Sequence, residues 1–249
     1  NHSRLEEYLE LGNYVLKGDS KAESLNLDNG NKLVFLGDII GIRENNNKMS
    51  KVSNAGLIKL FKNGFSIDII KKLEGRFLMI YCDPNNFSFQ VFTDRYGQFD
   101  CYYYYHNQDI IISSDISLIA KTPSKNGYDQ ISLAHSLTVY GYRPARKQTF
   151  YEGIKRLGVN EIISIINNKV DIDELPFSPL SIQNYDSSHH ELYSDIFLDA
   201  IKARGSDKGN VVYLSSGWDS TAILGGLVHV FGPDKVKAVI GEHLYSKRY

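Results

Sequence analysis

Short apolar runs separated by turn residues dominate the chain up to about residue 175, and this pattern predicts β-strands. The clearest pair is an apolar run over residues 77–81 and an alternating run over 87–92, joined by Cys82-Asp83-Pro84-Asn85-Asn86. Proline and asparagine favour turns, so these two runs predict a hairpin. This part of the chain therefore predicts an α+β domain rich in strands. Further strands are predicted over 33–36, 101–105, 110–113, 161–166 and 170–172, and helices over 55–62, 67–72 and 128–139. Asn167-Asn168-Lys169 predicts the turn of a second hairpin, between the strands over 161–166 and 170–172.

The pattern changes after Leu175, where prolines and polar residues over 176–187 predict a linker. Ser188 with Glu191 three residues later predicts a capping box, and Gly205 predicts the end of the helix that the box begins. A strand over 211–214, a helix from Thr221 and a second strand over 236–240 follow. This order predicts the beginning of a doubly wound α/β parallel sheet.

Two domains follow from this change of pattern, one over residues 1–178 and one over residues 188–249. The second has about 60 residues, which are too few to complete a doubly wound sheet. The chain is therefore expected to be a fragment or a split subunit with little catalytic activity alone.

The turn Ser215-Ser216-Gly217-Trp218-Asp219-Ser220 carries the clearest chemical signal. A strand that ends in such a turn and leads into a helix directs backbone N–H groups and the positive helix end at one point. Serine hydroxyls add donors, and the Asp219 carboxylate suits Mg²⁺. The turn therefore predicts a phosphate or pyrophosphate site, with an incidental strand–turn–helix junction as the alternative. Trp218 is expected to pack beneath the loop rather than contact a nucleotide.

Composition limits the other function classes. With 249 residues, 42% of them hydrophobic, and a net charge of −1, the chain has no feature that favours nucleic acid or an anionic membrane. No apolar run reaches the roughly 18 residues that span a bilayer. Cys82 and Cys101 form no disulfide framework or metal motif, are expected to be small core residues, and fit a cytoplasmic protein. His189-His190 is expected to be a solvated helix start rather than a metal site.

Both regions resemble the asparagine synthetase family. The hexapeptide over 215–220 resembles the family's S-G-G-x-D-S pyrophosphate loop, and it is not a Walker P-loop because G-x-x-x-x-G-K-[ST] is absent. The resemblance covers roughly residues 30–240. Segments that resemble the family's glutaminase domain, in the same order, are Leu36-Gly37-Asp38, Leu73-Glu74-Gly75-Arg76-Phe77, Thr93-Asp94-Arg95-Tyr96-Gly97 with Tyr102-Tyr103, Ser113-Ser114-Asp115-Ile116, and Gly141-Tyr142 through Phe150-Tyr151-Glu152-Gly153-Ile154.

The resemblance implies a class II glutamine amidotransferase domain with the N-terminal-nucleophile αββα fold, followed by an ATP-pyrophosphatase domain. In that family the second domain adenylates a substrate carboxylate, and ammonia then displaces AMP. The implied cofactors are ATP and Mg²⁺, and the implied partners are a small-molecule carboxylate and an amine. Relatives often dimerise through the amidotransferase domain, so a homodimer is an expectation of the resemblance alone.

The resemblance also implies binding residues, although it assigns no catalytic residue in this chain. Asp219 is implied as the magnesium ligand, and Gly37, Asp38 and Asp94 are implied as a degenerate glutamine site. The residues implied for ATP are Leu214, Ser215, Ser216, Gly217, Asp219, Ser220, Val239, Ile240 and Gly241.

Three departures from the family pattern bear on function. Ser216 stands where the family usually has glycine, and its side chain either crowds a phosphate or adds a hydroxyl donor. Leu36 stands at the oxyanion-hole asparagine and has no donor, a loss worth about two to three powers of ten in rate. The glutaminase reaction also needs an N-terminal cysteine, whereas the sequence begins with Asn1. Glutaminase activity is therefore expected to be lost, as in the β-lactam synthetase branch, where a substrate amine attacks the acyl adenylate.

Three functions stay open on these residues. The first is an ATP-dependent amide-forming ligase, the second is a noncatalytic binding or scaffold module, and the third is a working glutamine amidohydrolase, which Leu36 disfavours. For Asp94, a salt bridge or a turn role stands beside substrate contact.

Overall fold

The computed structural model describes residues 6–11, 14–18, 21–44, 48–107, 109–121, 127–140, 147–175 and 186–241. The chain divides into two compact units, one of residues 1–39 and 52–179 and one of residues 40–51 and 180–249. None of the helices in the described ranges combines the length and the apolar composition that a membrane span requires.

The strands are β1 (Glu6–Leu11), β2 (Tyr14–Gly18), β3 (Glu23–Asn26), β4 (Lys32–Arg43), β5 (Met49–Lys51), β6 (Leu73–Asp83), β7 (Ser88–Thr93), β8 (Tyr102–His106), β9 (Asp109–Ser113), β10 (Ile154–Arg156), β11 (Glu161–Ile166), β12 (Lys169–Glu174), β13 (Asn210–Leu214) and β14 (Val236–Ile240). The helices are α1 (Asn54–Leu60), α2 (Ile67–Lys72), α3 (Ile116–Ala120), α4 (Gln130–His135), α5 (Ser187–Arg204) and α6 (Trp218–Phe231). A π-helical segment, Ser136–Tyr140, follows α4, and a 3₁₀ turn, Pro233–Lys235, precedes β14.

The first unit is organised around a large sheet with the strand order β12-β11-β7-β6-β4-β3. The part of β4 after Ile39, and β5, which pairs with it, are counted with the second unit. The pairs β3–β4, β6–β7, β7–β11 and β11–β12 are antiparallel. Every residue of β7 is buried, which requires cover on both faces of the sheet. The strand is central, so its backbone groups pair with β6 on one side and with β11 on the other.

Alternate residues of β6 supply two separate cores. Phe77, Met79 and Tyr81 belong to the core that α1 and α2 cover. Leu78 and Cys82 belong to the second core, which is completed by a three-stranded antiparallel sheet of order β10-β8-β9. Helix α3 packs against β8 and β9. The layers therefore run helix, sheet, sheet, helix, which confirms the predicted α+β class for this unit.

Two predicted hairpins are confirmed, and their turns show why they form. Asp83 begins the β6–β7 turn, where its carboxylate accepts N–H bonds from Asn85 at 3.1 Å and Asn86 at 3.2 Å. Asn167 and Asn168 join β11 to β12 with φ of 49° and 65°, the positive values that a two-residue hairpin turn needs.

Besides β5 and the end of β4, the second unit contains α5, β13, α6 and β14. Strands β13 and β14 pair in parallel with α6 between them in sequence. Helix α5 contacts α6 where Phe197 and Ile201 approach Gly226, since a Cβ there would lie 3.1 Å and 3.2 Å from their side chains. A strand–helix–strand crossover with a parallel pair is the local topology that the sequence pattern predicts for this segment.

Several predicted helix boundaries were wrong or fall outside the described residues. Helix α5 begins with Asp186 as N-cap and His189 as its reciprocal partner, instead of Ser188 and Glu191. The helix predicted from Tyr128 begins at Gln130, because Tyr128 forms a β-bridge with Tyr151. Gly205 is confirmed as the C-cap of α5. Residues 176–185 of the predicted linker and the Gly141-Tyr142 motif lie outside the described residues.

Truncation of Phe77 to alanine is expected to destabilise the first unit by about 3–5 kcal/mol, because the fully buried ring leaves a cavity between sheet and helices. Phe87→Ala is the matched control: Phe87 lies in the β6–β7 turn with 56% of its surface exposed, and its loss should change stability by less than about 0.5 kcal/mol. Urea unfolding followed by circular dichroism measures both. Equal losses would contradict the assigned core.

Candidate functional site

The loop between β13 and α6 is closed by its own serine hydroxyls. The Ser215 N–H donates to Ser220 Oγ at 3.1 Å, and the Gly217 N–H donates to Ser215 Oγ at 3.2 Å. The two hydroxyl oxygens lie 3.0 Å apart, and Ser220 Oγ is also 3.2 Å from the Gly217 carbonyl oxygen. These contacts hold the loop in one shape ahead of the helix.

The N-terminus of α6 is open to solvent. Gly217 is the N-cap, and no side chain caps the first turn, so its backbone N–H groups are available to an anion. Ser216 is exposed and fills no core space. Trp218 is 90% exposed, so the prediction that it packs beneath the loop was wrong. It precedes the buried Leu227 by nine residues, and at about 100° per residue it lies on the opposite side of the helix.

Asp219 supplies an exposed carboxylate in the first turn of α6. In the described ranges, no group of three His, Cys, Asp or Glu side chains lies close enough to hold a metal ion. A single carboxylate suits Mg²⁺ when phosphate oxygens complete the coordination. The chemistry of the donor set therefore fits a magnesium–nucleotide complex and does not fit a metal held by protein alone.

His189 has a structural role at the start of α5. Its Nδ1 lies 2.9 Å from Asp186 Oδ1. Hydrogen bonds from the Ser188 and His189 side chains and backbone lower the pKa of Asp186 to about 2. This pair is a helix cap, in agreement with the interpretation of His189-His190 as a solvated helix start.

The carboxyl ends of β13 and β14 meet at one edge of the parallel pair. Leu214 is in register with Ile240, and Tyr213 with Val239. Gly241 follows directly and is exposed. The structure thus brings four of the residues implied for ATP, Leu214 and those over 239–241, to the edge from which the Ser215–Ser220 loop departs, where open α/β sheets place ligands.

In the first unit, β4 and β6 approach closely at two glycines. A Cβ on Gly37, which has φ of 92°, would lie 2.3 Å from the Arg76 carbonyl oxygen and 2.9 Å from the Phe99 ring. A Cβ on Gly75 would lie 2.1 Å from the Asp38 carbonyl oxygen. Both positions therefore require glycine. The Arg76 guanidinium carbon lies 5.6 Å from the centre of the Phe99 ring, a cation–π contact.

Leu36 precedes Gly37 and is an apolar packing residue in this chain. Its side chain is half-buried against the second core, together with Phe99. A leucine offers no hydrogen bond to an oxyanion. At the position where the resembling family has its oxyanion-hole asparagine, this chain therefore has a side chain that packs against the second core.

Asp94 holds the loop that follows β7. It is 2% exposed, its Oδ1 accepts the N–H groups of Tyr96 at 3.2 Å and Gln98 at 3.0 Å, and its Oδ2 accepts the Phe99 N–H at 2.9 Å. Its own N–H donates to the Phe77 carbonyl at 2.9 Å. Both carboxylate oxygens are thus occupied by backbone, which gives Asp94 the turn role that was one of its two sequence interpretations.

Two arginine side chains also hold the loop that follows β7. Arg156 donates to the Gly97 carbonyl and pairs with Asp100, both at 2.9 Å. The Arg76 Nε donates to the Gln98 carbonyl at 3.4 Å. Sequence reasoning missed Arg76, Phe99 and Arg156, because their contacts join segments far apart in the chain and leave no local spacing to detect.

The two cysteines are not nucleophiles. Cys82 and Cys101 are completely buried, and burial raises the pKa of both thiols to about 12. The reactive thiolate is therefore absent at neutral pH, and the prediction that both are core residues is confirmed.

Asp94→Asn is expected to destabilise the first unit by about 2–3 kcal/mol, since an amide group replaces an oxygen that accepts a buried N–H. Asp100→Asn is the matched control, because its pair with Arg156 is half-exposed and is worth less than about 1 kcal/mol. Urea unfolding without added ligand measures both losses. An Asp94 loss no larger than that of Asp100 would contradict the anchoring role.

Comparison with known proteins supports the assignment of the first unit. No curated protein matches the chain. The sequence model of the family described as the glutamine amidotransferase domain matches residues 30–175, more than half of the 249 residues. The matched range contains the two-sheet core, the close approach of β4 and β6 at Gly37 and Gly75, and the Asp94 loop. The chain belongs to the glutamine amidotransferase domain family.

Proposed function

We propose that this chain is part of an ATP-dependent amide-forming ligase resembling asparagine synthetase, in which the Ser215–Ser220 loop holds the phosphates of ATP. One observation carries the proposal: a parallel strand ends in a hydroxyl-rich loop, and the uncapped N-terminus of a 14-residue helix opens beside an exposed carboxylate. That combination suits a polyphosphate with its magnesium ion better than it suits a neutral ligand.

The proposed reaction has two steps. A substrate carboxylate attacks the α-phosphorus of ATP, pyrophosphate leaves, and an acyl adenylate forms. An amine then attacks the acyl carbon, the amide bond forms, and AMP leaves. Negative charge accumulates on the departing pyrophosphate, where the backbone N–H groups of the first turn of α6 and the exposed hydroxyl of Ser216 donate hydrogen bonds. The hydroxyls of Ser215 and Ser220 hold the loop in the shape that presents these donors. Asp219 would hold Mg²⁺, which neutralises part of this charge.

The nucleoside would lie at the shared carboxyl edge of β13 and β14. Leu214 and Ile240 offer apolar surface in register with each other, and the backbone of Val239 and Gly241 flanks them. Apolar strand ends with a few backbone polar groups are typical of small-molecule sites.

The amidotransferase-like domain has no glutaminase role in this proposal. Leu36 supplies no oxyanion donor, so the attacking amine would come from a small-molecule substrate and not from glutamine. A small-molecule carboxylate and an amine are thus the proposed partners, and the domain serves as a folded support, with a homodimer as the proposed assembly.

A noncatalytic binding or scaffold module is the second candidate. The Asp94 carboxylate supports it, because a residue implied for substrate binding already accepts three backbone N–H groups of its own loop. Under this alternative the Ser215–Ser220 loop is a strand–helix junction without a ligand, and Mg-ATP does not bind.

Asp219→Asn is expected to weaken Mg-ATP binding by at least about tenfold, because the magnesium ion loses a charged ligand. An interaction with a charged group is worth about 1.5–3 kcal/mol, and about 1.4 kcal/mol corresponds to a tenfold change in affinity. Binding is followed in the full chain by the fluorescence of Trp218, the one tryptophan of the sequence, which is exposed beside Asp219. Titration of ATP with a chelator in place of magnesium shows how much of the affinity depends on the ion.

Asp234→Asn is the matched control, since Asp234 is an exposed carboxylate beyond the far end of α6, and it should leave Mg-ATP affinity unchanged. Wild-type affinity in Asp219→Asn would remove the magnesium role. No saturable Mg-ATP binding by the wild-type chain would refute the ligase proposal and favour the scaffold module.

A further inference from the structure

The Gly217 carbonyl oxygen at the start of α6 is held by a side chain one turn further along the helix. Thr221 Oγ1 donates to it at 3.1 Å. Because Gly217 is the N-cap, the same oxygen also accepts the first backbone hydrogen bond of the helix. A carbonyl oxygen has two lone pairs, so the helix and the Thr221 hydroxyl together occupy it. The peptide group that joins Gly217 to Trp218 is therefore fixed in part by Thr221.

The neighbouring Ser220 hydroxyl does not hold this carbonyl in the same way. Its single proton faces three acceptors: the Gly217 carbonyl at 3.2 Å, the Ser215 hydroxyl at 3.0 Å and the Ser215 carbonyl at 3.4 Å. One hydroxyl carries one donor, so these acceptors share it. Within the described part of the chain, the Thr221 hydroxyl is directed at the Gly217 carbonyl alone. Thr221 is thus the dedicated donor, although it lies outside the Ser215–Ser220 loop.

The orientation of this peptide group decides what the open end of α6 offers to an anion. The carbonyl and the N–H of a trans peptide point in opposite directions. With the Gly217 oxygen directed along the helix toward Thr221, the Trp218 N–H is directed outward at the N-terminus, where no side chain caps it. Glycine leaves the backbone free to rotate. A rotated peptide would present its oxygen, and not its N–H, to the anion.

We propose that Thr221 is a positioning residue for the phosphate site, because its hydroxyl keeps the Gly217–Trp218 peptide turned with the Trp218 N–H toward the phosphates. The inference rests on the proposed function of the Ser215–Ser220 loop. It adds to that function a residue that acts through the backbone and not by contact with the nucleotide. Thr221 is exposed, so the interior of the second unit does not depend on its hydroxyl.

Thr221→Val tests the proposal, since it removes the hydroxyl and keeps the shape and branching of the side chain. It is expected to weaken the binding of Mg-ATP by about three- to tenfold, because the peptide then has the binding orientation only about a third to a tenth of the time. Magnesium pyrophosphate, which has no nucleoside, should lose affinity by the same factor. Thr221→Ser keeps the donor and should restore wild-type affinity. Isothermal titration calorimetry with the full chain measures all of these affinities.

Thr138→Val is the matched control. Thr138 Oγ1 donates to the Ala134 carbonyl at 2.7 Å, the same hydroxyl-to-carbonyl bond across four residues, in a helical segment of the first unit. Its removal should leave both affinities unchanged. Urea unfolding of the two valine variants shows whether either substitution lowers stability. A loss of affinity in Thr221→Val without a loss of stability is the signature of a positioning role.

Wild-type affinities in Thr221→Val would overturn the positioning role and leave the ligase proposal in place. The same holds if Thr221→Ser binds as weakly as Thr221→Val, because the hydroxyl would then not be the cause. A loss for Mg-ATP without a loss for magnesium pyrophosphate would also overturn it, since the effect would lie at the nucleoside. No saturable binding of either ligand by the wild-type chain would refute the ligase proposal and this inference together.

Discussion

The need to cover both faces of β6 and β7 governs the first unit. Side chains of β6 alternate between two apolar cores, and every residue of β7 is buried. Such strands are stable only between two further layers, which α1 and α2 supply on one face and the β10-β8-β9 sheet on the other. Because Asp94 follows β7 and its N–H bonds the Phe77 carbonyl, the position of the adjoining loop follows from the same packing.

The two units use their polar groups in opposite ways. In the first unit, two positions that the resemblance links to the glutaminase site have structural roles. Leu36 packs against the second core, and the Asp94 carboxylate accepts backbone N–H groups of its own loop. In the second unit, the hydroxyl of Ser216 and the carboxylate of Asp219 are exposed at a helix N-terminus. Buried polar groups stabilise folds when their partners are internal, whereas exposed donors beside an uncapped helix are free to meet a ligand.

Local chemistry explains which elements could be predicted. The turn between β11 and β12 requires positive φ at Asn167 and Asn168, and asparagine tolerates positive φ. These two residues were therefore enough to predict the hairpin. The end of α5 was predicted correctly from the glycine at position 205 alone. The reason differs from the expected one, because Gly205 has a φ of −82°, which any residue can adopt. Glycine is needed there because a Cβ would lie 2.3 Å from the Phe231 ring. The start of α5 was mistaken by two residues, because Asp186 and Ser188 are both good N-caps and only the geometry of the chain selects between them.

The sequence by itself determined the α+β class of the first unit, the strand–loop–helix order around Ser215–Ser220, and the core placement of both cysteines. Each depends on periodicity, turn chemistry or hydrophobicity, which act between near neighbours. Only the tertiary structure decided that Asp94 anchors a loop, that Trp218 is exposed and that Arg76 lies over the Phe99 ring. The reason is physical: whether a carboxylate, an indole or a ring meets solvent, backbone or another side chain depends on which distant segments pack against it.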